Sequence, residues 1–238
     1  MRDYSKLISF LEENNYKITD EQIQQFDKYY EVLVETNKVM NLTSITEFDE
    51  VIDKHFIDSV AVISFTDFNN IASFIDVGTG AGFPGIPLKI LFPDIKAVLI
   101  DSLGKRIDFL HGIKESLGLE NIELIHTRSE DIAHDEEYRE RFDLCVSRAV
   151  ASLNVLSEYC LPFVKVGGRF IPYKSENCEE ELKKSENSLD ILGGAVIQVK
   201  DMVIGAENVT RRFPIIKKVS PSPEKYPRKA GKPSKKPL

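Results

Sequence analysis

Phe74-Ile75-Asp76-Val77-Gly78-Thr79-Gly80-Ala81-Gly82-Phe83-Pro84-Gly85-Ile86-Pro87-Leu88-Lys89-Ile90 is an apolar run that ends in an acid, passes through a glycine-rich turn and opens a helix. The run from Ile71 to Val77 is short, apolar and β-branched enough to be a buried strand. Closely spaced glycines let the backbone bend sharply and approach a ligand with no Cβ in the way. Pro84 and Pro87 fall where a first helical turn tolerates a missing N–H.

Working outward from this turn, the alternation of strand and helix continues downstream. Ile95 to Ile100 is a second strand ending at Asp101, and Lys105 to Leu117 is a helix stopped by Gly118. Ile122 to His126 is a third strand, and Phe142 to Ser147 a fourth, followed by Arg148 and a helix from Leu153 to Phe163. Gly167-Gly168 turns into a fifth strand, Arg169 to Tyr173, and a charged helix covers Asn177 to Leu192. Ala195 to Val199 and Phe213 to Val219 can close the sheet as an antiparallel edge. The expected fold is α/β, a doubly wound, mostly parallel sheet with helices on both faces.

Upstream, Asp3 to Phe65 shows apolar residues at helical spacing and no strand alternation, which predicts a helical cap. Thr19-Asp20-Glu21-Gln22 reads as the start of a long helix, and a third helix runs from about Glu47 to Ser64. On that third helix His55 and Asp58 are three residues apart and share a face. The chain thus divides into a cap (1–66), a sheet domain (67–219) and a basic tail (220–238).

Gly80, Gly82 and Gly85 fit the dinucleotide pattern G-x-G-x-x-G, with Asp101 at the expected distance after them. Asp76 argues against that reading, because a carboxylate at the strand end would meet the two phosphates of a dinucleotide. S-adenosylmethionine (AdoMet) carries an ammonium and a sulfonium and no phosphate, and it suits the acid better; an NAD-dependent oxidoreductase remains the alternative. In a sheet of this kind ligands bind beyond the carboxyl ends of the strands. Gly78, Gly80, Asp101, Ser129, Glu130 and Arg148 all lie at or just past such ends and are expected to converge. Asp101 would accept from ribose hydroxyls, and Glu130 or a backbone N–H of the Ser129-Glu130 turn would meet the adenine edge. Phe83 would pack near the methionine arm, and Arg148 would bind the methionine carboxylate or orient the acceptor.

The net charge of −7 is unevenly spread: residues 211–238 hold ten Lys or Arg against one Glu. That asymmetry points to a polyanionic partner for the C-terminal end. Lys225, Arg228, Lys229, Lys232, Lys235 and Lys236, interleaved with Pro, are expected to stay out of any core and to engage phosphates. Cys145, Cys160 and Cys178 are too few and too scattered for a zinc site or a disulfide framework, and no metal site is expected. The chain has no apolar stretch long enough to span a bilayer and no signal-peptide core near Met1, so a cytoplasmic monomer that meets no membrane is the expectation.

The fourth strand ends in Ser147-Arg148-Ala149-Val150, which offers neither the Asn- or Asp-Pro-Pro-aromatic turn of adenine-amine methylation nor the Pro-Cys pair of pyrimidine C5 chemistry. A ring nitrogen such as guanine N7 needs neither, since its lone pair is free at neutral pH. Alignment in line with the donor would then suffice, and no catalytic base is singled out.

These segments together resemble one family, the bacterial glucose-inhibited division protein B or ribosomal small-subunit RNA methyltransferase G family. The resemblance runs through Asn37 to Ile45, His55-Phe56-Ile57-Asp58-Ser59, Asp76 to Ile90, Asp101 to Arg106, Ser147 to Ala151 and Pro227 to Pro233. It implies AdoMet-dependent N7 methylation of one guanine in 16S rRNA, with Gly78, Phe83, Ser129-Glu130 and Arg148 at the cofactor. Ser129 stands where the family more often has Ala. His55, Arg228, Lys229 and Lys232 are the expected RNA-binding residues. A methyltransferase of a small molecule or protein, and a non-catalytic RNA-binding assembly protein, are the competing readings.

Overall fold

The computed structural model describes residues 2–175, 177–205 and 209–238. The described strands are β1 (Ser73–Val77), β2 (Lys96–Asp101), β3 (Ile122–His126), β4 (Phe142–Arg148), β5 (Val164–Tyr173), β6 (Gly194–Ile204) and β7 (Val209–Lys218). They form one sheet in the order β3-β2-β1-β4-β5-β7-β6, with β1 to β5 parallel and β7 antiparallel to both its neighbours. The order reverses between β1 and β4, so the crevice of the sheet opens at the carboxyl ends of those two strands.

The strands are buried on both sides because successive side chains enter opposite cores. Phe74, Ala97, Leu99, Leu144 and Val146 face one core, while Ile75, Val77, Val98, Ile100 and Cys145 face the other. The first core is covered by α1 (Ser5–Glu13), α2 (Asp20–Met40) and a helical run from Phe48 to Ser64, together with α5 (Gly85–Leu91) and α6 (Gly104–Leu117). That run is the expected third helix, although it is not uniform. Its first and third parts are α3 (Phe48–Val51) and α4 (Asp58–Val60), separated by a π-helical stretch, Ile52–Ile57, and followed by a 3₁₀ turn, Ala61–Ser64. Widened turns of this sort gather at functional sites, and this one carries His55. The second core lies under α8 (Leu153–Cys160) and α9 (Cys178–Leu192); between β3 and β4 sits the single-turn α7 (Ser129–Ile132).

Local chemistry accounts for the ends of these elements. Thr19 and Gln22 form a reciprocal capping box at the start of α2, and Gly118 and Gly193 close α6 and α9 in the left-handed region. Gly167-Gly168 is not the turn before β5 that the sequence suggests. Both glycines lie inside the strand, where a Cβ on Gly168 would approach the Asp143 carbonyl to 2.8 Å.

The C-terminal segment departs most from expectation. Rather than an unpacked tail, it is docked on the second core. Tyr226 is buried there, and the Arg139 guanidinium donates to the carbonyls of Ser222, Pro223 and Tyr226. The Arg228 guanidinium pairs with the fully buried Glu158 of α8 at 2.6 Å, and the Arg228 N–H donates to the same carboxylate. A carboxylate withdrawn from water this far needs a cation, and leaving one unpaired costs on the order of 3–5 kcal/mol. A single turn, α10 (Lys232–Lys235), ends the segment.

Internal partners also hold several cations that the charge count offered to a polyanion. Arg211 binds Asp58, Arg212 reaches Glu179 and Asp201, and Lys218 is buried among carbonyls beside Glu140. Arg228, expected as a phosphate ligand, is therefore a structural residue. Lys225, Lys229, Lys232, Lys235 and Lys236 remain exposed.

Candidate active site

The glycine turn is fixed from below. Gly78 N–H and Thr79 N–H donate to the Ile100 carbonyl, so the turn is registered on the end of β2. Gly78, Gly80 and Gly82 all take positive φ, which L side chains adopt only with strain. Asp76 does not face outward to a donor's cation, as the sequence argument had it. Its Oδ2 accepts from Gly85 N–H at 2.9 Å, at the first turn of α5, and the carboxylate is completely buried. Its role is to tie the strand end to the helix start. Burial pushes its carboxyl up to about 7 despite the Gly85 amide, and Oδ1 has no hydrogen-bond partner among the described residues.

Asp101 occupies the corresponding end of β2. Its carboxylate accepts from Gly80 N–H and Leu103 N–H, both at 2.9 Å, and from Arg106 at 3.2 Å. It thereby cross-links the glycine turn to the loop before α6 and still lines a cleft of about 230 Å³. Val77, Gly78, Ile100, Ser129, Glu130 and Val150 share that cleft with it. The fit to a nucleoside bearing a cationic sulfur is good: apolar strand ends form the floor and the Asp101 and Glu130 carboxylates stand beside it, with Arg128 the one cation among the described residues that line the cleft.

Two of the expected contacts are used differently. The Ser129 hydroxyl donates to the Tyr159 carbonyl and the Glu130 carboxylate accepts from Gly231 N–H at 3.0 Å. The Ser129 hydroxyl is thereby taken, whereas Gly231 N–H meets only one oxygen of the Glu130 carboxylate, so Glu130 keeps acceptor capacity and it and the backbone of this turn are both placed for an adenine edge. Arg148 is likewise engaged. Its guanidinium donates to Asp58 at 2.7 Å and to the Lys54 carbonyl, lies 3.4 Å from His55 Nδ1 and stands over the Phe83 ring. Phe83 in turn stacks on His55, with centroids 4.5 Å apart.

A second cavity of about 620 Å³ lies beyond residues 148–152. Lys54, His55, Arg148, Lys174 and Arg211 line it, with Glu181 as its acid. Val150 and Ala151 line both cavities, so this loop is their common wall. Burial, and after it the nearby Arg148 and Arg211, push His55 down to about 3, so its imidazole is neutral and a very weak base. Lys174 Nζ donates to the Ala151 carbonyl and pairs with Glu181, both at 2.7 Å.

Sequence reasoning missed Lys174 and Arg211. Lys174 directly follows β5, so the carboxyl-end rule reaches it as soon as it is extended to that strand. Arg211 lies near the start of an antiparallel strand, which brings it to the same end of the sheet. Of the expected RNA contacts, His55 lines the second cavity, whereas Lys229 and Lys232 are exposed on the C-terminal segment beside the first.

Sheet order, glycine turn and acid-rimmed cleft define a Rossmann-like methyltransferase. The O-methyltransferase of Bacillus cereus, solved with SAH, shares the fold at a TM-score of 0.58 with 16% identity, over 81% of this chain and 91% of that one. A SAM-dependent O-methyltransferase of Thermotoga maritima does so at 0.55 with 17% identity, over 80% and 72% of the two chains. The family model described as rRNA small subunit methyltransferase G, GidB, matches residues 22–210, and the chain belongs to that family. The ribosomal RNA small subunit methyltransferase G of Alkaliphilus metalliredigens is 48% identical over 227 residues, 95% of each chain. That of Acetivibrio thermocellus is 51% identical over 221 residues, 93% of this chain and 90% of the relative.

Proposed function

We propose that this methyltransferase moves a methyl group from AdoMet to N7 of a guanine in 16S rRNA. The observation that carries the reading is the shared wall: an acid-rimmed, nucleoside-sized cleft and a cationic cavity meet at residues 148–152. A cationic donor belongs in the first and a segment of polyanion in the second. When bound, AdoMet supplies an activated methyl on a sulfonium.

The chain's own residues do the rest by placement. Gly78 and the backbone of Ser129-Glu130 border the nucleoside, and Asp101 offers its remaining acceptor capacity to ribose hydroxyls. Arg148, held by Asp58 and stacked over Phe83, fixes the wall between donor and acceptor. Lys54, Lys174 and Arg211 offer positive charge to phosphate or to guanine O6. Among the described residues lining the second cavity, none is poised to take a proton: His55 is too weak a base and Glu181 is paired with Lys174. An acceptor nitrogen that loses no proton fits such a cavity, and alignment is then the main source of rate.

Among the described residues no helix is long and apolar enough to cross a membrane. We place the protein in the cytoplasm with its ribosomal substrate, acting as a monomer, with residues 67–219 supplying most of the donor cleft and Ser234 completing its lining. Mass spectrometry of 16S rRNA from cells with and without the gene tests the reading. A methylguanine lost with the gene, and restored in vitro by the protein and methyl-labelled AdoMet on the unmethylated subunits, is the expected result. Unchanged rRNA, or label in another acceptor, overturns it.

A further inference from the structure

The docked C-terminal segment does more than shield α8. Ser234 lines the nucleoside cleft directly, and its hydroxyl is 2.8 Å from the Tyr159 hydroxyl, on a residue that also lines the cleft. Three residues earlier, Gly231 N–H is the donor that occupies the Glu130 carboxylate. Upstream of both, Arg228 is locked to Glu158, one residue before Tyr159 on α8. Pro233 is buried between these contacts, while Lys229, Lys232, Lys235 and Lys236 point to solvent. The segment therefore touches α7, which carries Ser129 and Glu130 of the cleft, and α8, which carries Tyr159.

We propose that residues 229–238 form one wall of the donor cleft and position Glu130 and Tyr159 for AdoMet binding, with Glu158 and Arg228 as the anchor that holds the wall in place. This rests on the AdoMet reading above. It assigns the segment a role at the donor that is separate from any attraction of its lysines for RNA. Glu130 is a positioning residue in this scheme: its side chain holds the wall, and the wall and the Ser129-Glu130 backbone together bound the nucleoside.

The test measures binding of S-adenosylhomocysteine by calorimetry, so no turnover is required. Three proteins are compared: the full chain, a truncation ending at Arg228, and a full-length form with Lys229, Lys232, Lys235 and Lys236 changed to Gln. The truncation keeps Tyr226 and the Arg228–Glu158 pair, and its unliganded Tm is expected to stay close to that of the full chain. Its affinity for S-adenosylhomocysteine should fall about tenfold or more, whereas the lysine variant should bind within about twofold of the full chain. The double variant Tyr159→Phe, Ser234→Ala, measured in the same way, should bind S-adenosylhomocysteine severalfold more weakly than the full chain. Equal S-adenosylhomocysteine affinity in the full chain and the truncation overturns the proposal and leaves the donor reading standing. A full chain that binds no S-adenosylhomocysteine overturns both.

Discussion

The two cavities on either side of residues 148–152 are built from opposite materials. The first has Asp101 and Glu130 over a floor of Val77 and Ile100, with Arg128 as its cation, and the second is edged by Lys54, Lys174, Arg148 and Arg211, with Glu181 as its acid. In both, the charged groups are held by partners that fix them. Asp101 is pinned by two backbone amides and Arg148 by Asp58, so neither side chain must be ordered when a ligand arrives. On the proposed function, charge sign sorts the two substrates while the loop 148–152, common to both cavities, sets the distance between them. Preorganised groups of this kind are what a reaction limited by alignment requires.

The largest effect should come from the turn that floors the first cavity. A Cβ on Gly78 would lie 2.4 Å from Val150 Cγ2, and φ there is +73°. Gly78→Ala should therefore strain the turn and displace the shared wall. We expect affinity for S-adenosylhomocysteine to drop by about tenfold or more, equivalent to ~1.4 kcal/mol, with RNA binding affected less; calorimetry and filter binding check this. Equal losses on both sides would mean that the cavities are not separable.

A smaller effect should follow from Lys174→Gln, which removes a cation of the second cavity and leaves Glu181 without its partner. RNA affinity should fall severalfold and its dependence on log salt should become shallower by about one, with a smaller loss at the donor side, since Lys174 also holds the Ala151 carbonyl of the shared wall. Salt titrations of RNA binding supply the measurement.

The smallest effects concern protons. Burial raises the Asp76 carboxyl to about 7 from the 3.8 of an exposed aspartate. Between those values the folded chain holds a proton that the unfolded chain has lost, so this residue's contribution falls as pH rises through that window and is most unfavourable above 7. Asp76→Asn should consequently leave Tm near that of the parent at pH 4 and raise it at pH 8. A gain in Tm at pH 8 that is absent at pH 4 is the expected signature, and thermal melts at both pH values decide it. His55 runs the other way: its folded value near 3 lies below the 6.5 of an exposed histidine, so its contribution is lost as pH falls below 6.5. Since it stays neutral in the fold, His55→Gln should leave the pH profile of RNA binding between 6 and 8 unchanged.

The sheet was legible because its code is local. Apolar runs, glycine turns and helix stops are written within a few residues of where they act, and β3, for instance, spans the expected Ile122 to His126. The carboxyl-end rule likewise brought Gly78, Asp101, Ser129 and Glu130 to one cleft. What was not legible depends on partners distant in the chain. Arg228 reads as a free cation until Glu158, seventy residues away, is seen to be buried beneath it. Asp76 reads as a ligand for a cation until Gly85 N–H takes it. Composition misjudged the C-terminal segment because a few residues anchor it: Tyr226 enters the second core, Arg139 binds its carbonyls and Arg228 pairs with Glu158, contacts that an average over many lysines and prolines conceals.

The hydroxyl of Tyr29, midway along α2, donates to the Ala81 carbonyl at 2.5 Å, and the Gln22 amide at the start of the same helix grips the carbonyls of Ile90 and Leu91. The glycine turn is thus braced from behind by residues that precede it by half a hundred positions. The helices before residue 66 serve as its backing plate, and cutting them away would both bare the face of Phe74 and Leu99 and slacken the turn. A chain begun at residue 67 should therefore come out insoluble, or bind the donor's nucleoside poorly, even though every cleft-lining residue is still present.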